Sequence, residues 1–317
     1  MHNAPEMKLP SATSAITIEL TAVLVALTAN EPQVLTLDDG ALLPSGPFES
    51  EHPTLQTGLR AWVEAQTHHP LGYVEQLYTF ADRNRAAEGG RRIVSISYLG
   101  LTRERLSRGA RDPEWRNWYR YFPWEDWRQG PAPIVAREIL PRLRKWSDTA
   151  GDSAHKRDRR QRVEINFGDG KKQWNEDLVL QRYELLYEAG LVPEAGNGRD
   201  PAAASLTGMA MRHDHRRILA TGIARLRAKI KYRPVVFELM PETFTLLQLQ
   251  RAVEALAGRP LHKQNFRRLI DQQGLVEETG AVSTQTAGRP AKLYRFSRAV
   301  VLERAFGGTK LPLSRSV

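Results

Sequence analysis

The stretch Thr245-Leu-Leu-Gln-Leu-Gln-Arg-Ala-Val-Glu-Ala-Leu-Ala-Gly258-Arg-Pro-Leu-His262-Lys-Gln-Asn-Phe-Arg-Arg-Leu-Ile-Asp-Gln-Gln-Gly274 decides how this chain is built. Thr245 stands where a helix N-cap belongs, and Leu246, Leu249, Val253 and Leu256 follow at helical spacing until Gly258 supplies the stop. After Arg259-Pro260-Leu261 a second helix begins near His262, with Phe266, Leu269 and Ile270 on its core side and Gly274 as its terminator. Lys263, Gln264, Arg267 and Arg268 are left facing outward. Residues 275–278 and 292–296 then read as two strands joined by a loop that holds Gly280, Thr284, Gly288, Arg289 and Pro290. Helix, short turn, helix and β-hairpin together make a winged helix-turn-helix.

Charge points the same way. Between Arg225 and Val317 the chain carries seventeen Lys and Arg against seven Asp and Glu, which is the whole formal excess of +10; the rest balances at 29 against 29. A basic end on a neutral body implies a polyanion partner, most commonly nucleic acid. A major groove about 12 Å wide admits one helix, whose N-terminal side chains reach the base edges. His262, Lys263, Gln264, Asn265, Arg267 and Arg268 are the candidates, since Gln and Asn pair with adenine and Arg and Lys with guanine or phosphate. Thr245, Thr284, Arg289 and Lys292 complete the set, with Arg289 placed by a small-residue turn to enter an adjacent groove. The plain alternative is that these charges only solvate an exposed helix face.

The 317 residues allow two domains, and 41% hydrophobic content is ordinary for a globular protein with real cores. With no Cys, disulfides and thiolate metal sites are excluded. The N-terminus shows no leader pattern, and the apolar run from Ile16 to Ala29 is interrupted by Glu19 and several Thr, so the reading is of a cytoplasmic protein with no membrane partner. Residues 1–15 read as a flexible terminus, 16–230 as a body domain and 231–317 as the winged-helix domain. In the body, residues 16–27, 34–37, 73–80 and 92–101 read as strands, 43–48 as a loop, and Leu55, Leu59, Trp62 and Val63 as the buried stripe of a helix. This order indicates an α/β (α+β) class with a mixed sheet and helices packed against it. Residues 115–127 are dense in Trp, Tyr and Phe and read as a packed cap. Residues 134–146, 174–189 and 215–230 read as helices, and 155–162 as a solvated basic loop.

Gly46, Arg60, Trp62 and Glu64 fall at positions of the Nudix box, the pattern of Gly, five residues, Glu, seven residues, then Arg-Glu-hydrophobic-any-Glu-Glu-any-Gly. His52 stands where the first Glu belongs, Ala61 and Ala65 replace two more, and Thr67 replaces the Gly. Nudix hydrolysis needs several carboxylates on one helix face to hold divalent metal against a diphosphate, so Glu64 alone makes a poor cage. Arg60 at i−4 is expected to pair with it instead. Neither a catalytic residue nor a metal ligand is assigned.

The two halves together resemble the Nudix-related transcriptional regulators of NAD metabolism, in particular their larger, NadQ-type branch. The resemblance rests on Asp214-His215-Arg216-Arg217-Ile218-Leu219, Leu226-Arg227-Ala228-Lys229-Ile230-Lys231-Tyr232, the 262–268 segment and the wing end Gly288-Arg289-Pro290-Ala291-Lys292-Leu293-Tyr294-Arg295-Phe296. Tyr119-Arg-Tyr-Phe-Pro-Trp-Glu-Asp-Trp127 and Gln181-Arg-Tyr-Glu-Leu-Leu-Tyr-Glu-Ala-Gly-Leu191 are similar to that branch as well. It implies a Nudix-like mixed-sheet sandwich with helical insertions followed by the winged helix, and a homodimeric repressor on a palindromic double-stranded operator. The body would sense a nucleotide effector, ADP-ribose, NAD or ATP, with no cofactor. Tyr78, Phe80 and the Trp-rich segment are candidates to stack an adenine, and Arg60, Glu64, Arg83, Arg85 and Arg92 to meet the rest of the ligand. Two alternatives stand: an active Nudix hydrolase cleaving ADP-ribose or a related nucleotide, and a winged helix that contacts protein or RNA.

Overall fold

The computed structural model describes residues 16–69, 71–81, 92–103, 113–168, 173–196, 207–231, 235–283 and 290–297. Strand β1 (Ile16–Thr28) turns through Ala29 and Asn30, both at positive φ, into β2 (Glu31–Thr36). The expected loop at 43–48 carries a short strand, β3 (Ser45–Pro47), which pairs antiparallel with β1. Helix α1 (Leu55–Thr67) is capped by Thr54 and Thr57, whose hydroxyls exchange hydrogen bonds with each other's backbone amides at 3.1 and 2.9 Å. Strands β4 (Tyr73–Phe80), β5 (Arg92–Leu101) and β6 (Glu114–Asn117) complete a sheet of order β4-β5-β1-β2-β6, with β1 and β5 parallel.

Alternation along β1 splits the core into two layers. Leu20, Ala22 and Leu24 face α1 with Leu59, Val63, Ile96 and Tyr98. Val23 and Val25 face the other way, into a larger core with Leu99, Leu101 and the aromatic segment. Trp118, Tyr121, Phe122 and Trp124 are fully buried there. This is the packed cap the composition suggests, and it leaves those rings no open face for an adenine.

The helical part is α2 (Leu140–Asp148), α3 (Ser153–Phe167), α4 (Val179–Glu188) and α5 (His215–Ile230). A π-type turn, Val135–Ile139, precedes α2; Pro141, without an N–H, cannot give the α-helical bond to Arg137. The basic run 155–162 is not a loop but lies within α3. Asp152 caps that helix by accepting from Ala154 and His155 at 2.8 and 2.9 Å, and its cations are partly spent on Asp148 and Glu188. The helix expected from Trp174 begins only at Val179. Helix α5 packs across β1, β4 and β5, so the sheet is sandwiched between α1 and α5. Among the described residues no helix is long and apolar enough to cross a membrane.

Helices α6 (Leu246–Ala257) and α7 (Lys263–Gln272) and the hairpin β7 (Val276–Ser283) and β8 (Ala291–Phe296) follow. They are seated on the body by a buried ionic node. Glu125, fully buried, receives Arg182 of α4 at 2.5 and 2.8 Å and Arg227 of α5 at 2.5 Å. Arg227 also donates to the carbonyl of Leu256 at 3.0 Å, Tyr119 Oη to that of Ala255 at 2.6 Å, and the Trp127 amide to that of Gly258 at 2.7 Å. The last carbonyls of a helix have no partner of their own and attract cations. Here the body supplies the partners for α6.

Candidate nucleic-acid interface and nucleotide site

Thr245 accepts from the Gln248 amide at 3.2 Å while Gln248 Oε1 accepts from the Thr245 amide at 2.7 Å, a reciprocal cap that starts α6. Thr245 is buried in that role, so its first duty is structural. The turn to α7 is pinned by Glu254, whose Oε1 accepts from the Leu261 amide at 2.8 Å and from Gln250 at 2.9 Å, while Gln250 donates to the Leu261 carbonyl at 3.1 Å. Gly258, at φ 73, ends α6 where an added Cβ would lie 2.4 Å from the Glu125 carbonyl oxygen.

Helix α7 buries Phe266 and Ile270 and exposes His262, Lys263, Gln264, Asn265, Arg267 and Arg268. At about 100° per residue, Gln264 and Arg268 point directly away from the buried pair, with Lys263 and Arg267 on one flank and Asn265 on the other. Such a stripe suits a groove: a central pair for base edges, flanking cations for phosphates.

The hairpin continues from this helix. It is tied down by reciprocal bonds between the backbones of Phe244 and Tyr294, at 2.9 and 2.8 Å, and by Phe296 stacked on Phe237. Lys292 is exposed, but both oxygens of Glu278 hold it at 2.9 Å. The bond to Glu278 raises the Lys292 pKa, and that to Lys292 lowers the Glu278 pKa. Arg295 pairs likewise with Glu277 at 3.3 Å. The hairpin stem is therefore charge-balanced, and Lys292 is not the unpaired cation its sequence position suggested. Thr284 and Arg289 lie outside the described residues.

The basic excess is also less concentrated than it looks in the sequence. Between 236 and 296 the chain holds eight Lys and Arg against six Asp and Glu. Several of the other cations serve the body: Arg227 in the node, Lys229 on Glu75, and Lys231 on Glu176 and Asp177. The candidate interface is therefore the exposed face of α7 and not the charge of the whole C-terminal part.

The expected effector residues are divided by the sheet. Arg60 and Glu64 lie on α1, on one side. Arg60 donates to the carbonyls of Leu71 and Gly72 and so braces the loop before β4; the expected pair with Glu64 does not form. Tyr78 and Phe80 lie on β4, their ring centroids 5.0 Å apart, with Tyr78 exposed and Phe80 buried under the Arg217 guanidinium of α5. Arg83 and Arg85 are outside the described residues, and of Arg92 only the backbone is described.

The Nudix-box positions are used for packing. Trp62 lies over Gly46, where an added Cβ would come within 2.2 Å of the indole, and donates its Nε1–H to the Pro47 carbonyl at 2.8 Å. Gln66 holds Ser45 through both its amide and its carbonyl at 3.1 and 2.7 Å. His52 Nδ1 accepts from the Glu49 amide. Among the described residues no three His, Asp or Glu side chains converge as a metal site, and an imidazole and two methyl groups, at His52, Ala61 and Ala65, in place of carboxylates do not fit a hard divalent cation.

Glu19, to which sequence reasoning gave no role, and His215 also matter here. Glu19, on β1, is half-buried: burial raises its pKa against the influence of His213 and a hydrogen bond from Ser45. His215, almost fully buried, accepts from the Leu43 amide at 2.8 Å through Nδ1 and is pushed down to about 3 by burial and by His213.

Comparison with known proteins agrees with this geometry. Residues 236–296 match the family of NrtR DNA-binding winged helix domains. Over 85 residues the chain is 44% identical to the ADPR responsive transcriptional repressor NtrR of Acinetobacter baylyi, covering 26% of this chain and 33% of that protein, so the match spans about a third of the curated relative. Shewanella oneidensis NrtR superimposes with a TM-score of 0.51 at 19% identity, over 88% of this chain and 94% of that one. The same protein complexed with a 27mer DNA gives 0.51 at 20% identity, over 92% and 99%. A MutT/nudix family protein of Enterococcus faecalis gives 0.50 at 15% identity, over 92% and 90%. The chain therefore has the fold shared by these structures, a mixed-sheet domain joined to a winged helix, and its residues 236–296 are a winged helix of the NrtR kind.

Proposed function

We infer that this protein is a transcriptional repressor that binds a double-stranded operator through α7 and releases or engages it in response to a nucleotide. The observation that carries the reading is the exposed Gln264 and Arg268 pair, flanked by Lys263 and Arg267, on a helix fixed to the body through Glu125, Arg227 and Leu256. The Acinetobacter relative is named for its response to ADPR, which makes ADP-ribose the first effector to try, with NAD and ATP beside it. The target class is genes of NAD synthesis or salvage. Two copies of α7 reading a palindrome must sit about 34–36 Å apart, so the working unit is a homodimer acting in the cytoplasm. A ligand that prefers another helix spacing must weaken DNA binding by the same factor by which DNA weakens it. The domain limits kept for this reading are 16–230 for the sensing body and 231–317 for the DNA-binding part.

Hydrolysis is not part of the proposal: three of the four carboxylate positions of the Nudix box are His52, Ala61 and Ala65 here, leaving Glu64 alone, and Trp62 packs on Gly46. The test is a mobility-shift titration on DNA upstream of NAD-pathway genes against scrambled duplex, with and without ADP-ribose, NAD and ATP. A sequence-specific shift altered by one nucleotide is expected. Equal binding to both duplexes would refute the repressor reading.

A further inference from the structure

The sheet face covered by α5 is polar at one end. Strand pairing sets Phe80, Ser95 and Glu19 in one row across β4, β5 and β1, and Ser97, Thr21 and Ser45 in the next. Residues paired across strands share a face. Further along the same strands that face carries Val23, Val25, Leu99 and Leu101. Thr21 and Ser97 are fully buried and Ser95 nearly so, with Thr21 and Ser95 hydroxyls 3.3 Å apart and Ser97 donating to the Tyr78 carbonyl at 2.9 Å. A sheet that needed only to pack on a helix would carry aliphatic side chains in these rows, because buried hydroxyls and a half-buried carboxylate add desolvation cost without adding apolar contact.

The row also has the dimensions of a ligand. Strands lie about 4.8 Å apart, so Phe80 and Glu19, two strands removed, are separated by about 10 Å. One end is aromatic: Tyr78 is 59% exposed beside Phe80. The other end is a carboxylate that accepts hydrogen bonds, the arrangement used to hold ribose hydroxyls. The cation above the row, Arg217, is already bonded to Glu184 and lies 3.8 Å from Asp214, so the row is not a phosphate cradle.

We propose that this ledge binds the nucleoside part of the effector, with the base against Tyr78 and the ribose diol on Glu19, leaving phosphates to groups outside the ledge. The assignment rests on the nucleotide-responsive reading above. It is tested by calorimetric titration of the full-length protein with ADP-ribose, adenosine and 2′,3′-dideoxyadenosine, for the unsubstituted chain, Glu19→Gln and Tyr78→Ala. Both positions reach solvent, and thermal melts of the variants check folding. We expect ADP-ribose and adenosine to bind each variant at least tenfold more weakly. Dideoxyadenosine, lacking the diol, should bind Glu19→Gln as it binds the unsubstituted chain, and effector-free affinity for operator DNA should be unchanged. ADP-ribose binding that is equally tight in all three proteins overturns the ledge and leaves the repressor reading standing. Failure of the unsubstituted chain to bind ADP-ribose, and NAD and ATP titrated beside it, overturns both.

Discussion

The Nε–H of Arg227 donates to the carbonyl of Leu256 at 3.0 Å, so a residue of the body's long helix α5 closes the end of the first winged-helix helix α6. The same guanidinium meets Glu125 at 2.5 Å, and Glu125 is shared with Arg182 of α4. Burial alone pushes the Glu125 carboxyl up, but the two arginines outweigh it and hold it below its ordinary value. Three elements are thereby locked to one carboxylate, and the orientation of α7 is inherited from them.

Removing one member of such a buried set leaves charge without compensation. Arg227→Met is expected to cost about 3–5 kcal/mol of stability, read from the denaturant midpoint. A loss under about 1 kcal/mol would show that the node is not holding the structure. Arg227→Lys keeps charge but loses the planar fork, and should weaken the response of DNA binding to effector more than DNA binding itself.

Gly258 makes a separate point about the same junction. Its φ of 73 and an added Cβ 2.4 Å from the Glu125 oxygen leave no room for a side chain. Gly258→Ala should cost more than about 1 kcal/mol from backbone conformation alone and reduce operator affinity. Unchanged thermal stability and affinity would contradict the close seating of α6 on the body.

On the DNA side, substitutions should fall into two kinds. Gln264→Ala and Arg268→Ala are expected to lose about 1–3 kcal/mol of discrimination between operator and scrambled duplex. Lys263→Ala and Arg267→Ala should weaken both duplexes alike and lower the salt slope by about one. Lys292→Ala, already neutralised by Glu278, should change affinity least of the five. Equal effects at all five positions would mean that α7 is not oriented as described.

His215 gives a pH signature. Its folded value is about 3, against an ordinary 6.5, because burial and His213 disfavour its charged form. Above pH 6.5 it is neutral folded or unfolded, and its contribution is complete. As pH falls below 6.5 the unfolded chain takes up a proton that the folded chain refuses, so stability drops by about 1.4 kcal/mol per pH unit from this group until the folded value is reached. His215→Asn is expected to be less stable at pH 7 but to show a pH slope shallower by about one proton between pH 6 and 4, measured by denaturant titration. An unchanged slope would remove His215 as its source.

The winged helix was legible because its signals are local: the Thr245 cap, the stops at Gly258 and Gly274, and the Phe266 and Ile270 spacing each act within a few residues. Strands β4 and β5 were legible for the same reason. What the sequence hid is long-range. Nothing near Glu125 announces that its partners stand at 182 and 227, and counting Arg227, Lys229 and Lys231 as DNA-binding charge was the cost of not seeing acids 54 to 154 residues away. The effector candidates fall into two groups for a similar reason, because whether Arg60 and Tyr78 share a face depends on the order of strands in the sheet. Glu19 had a local clue, a lone carboxylate in an otherwise β-branched and aliphatic strand. The basic run 155–162 misled because high charge density reads as loop, while Asp152 and the pairs to Asp148 and Glu188 make it a helix.

The measurement that bears most directly on ligand-controlled DNA binding is a closed cycle: operator affinity by fluorescence anisotropy with and without saturating ADP-ribose, and ADP-ribose affinity by calorimetry with and without saturating operator. We expect both affinities to change by one common factor, within the roughly 5- to 150-fold range usual for coupled sites. ADP-ribose binding that leaves operator affinity untouched would contradict ligand-controlled DNA binding.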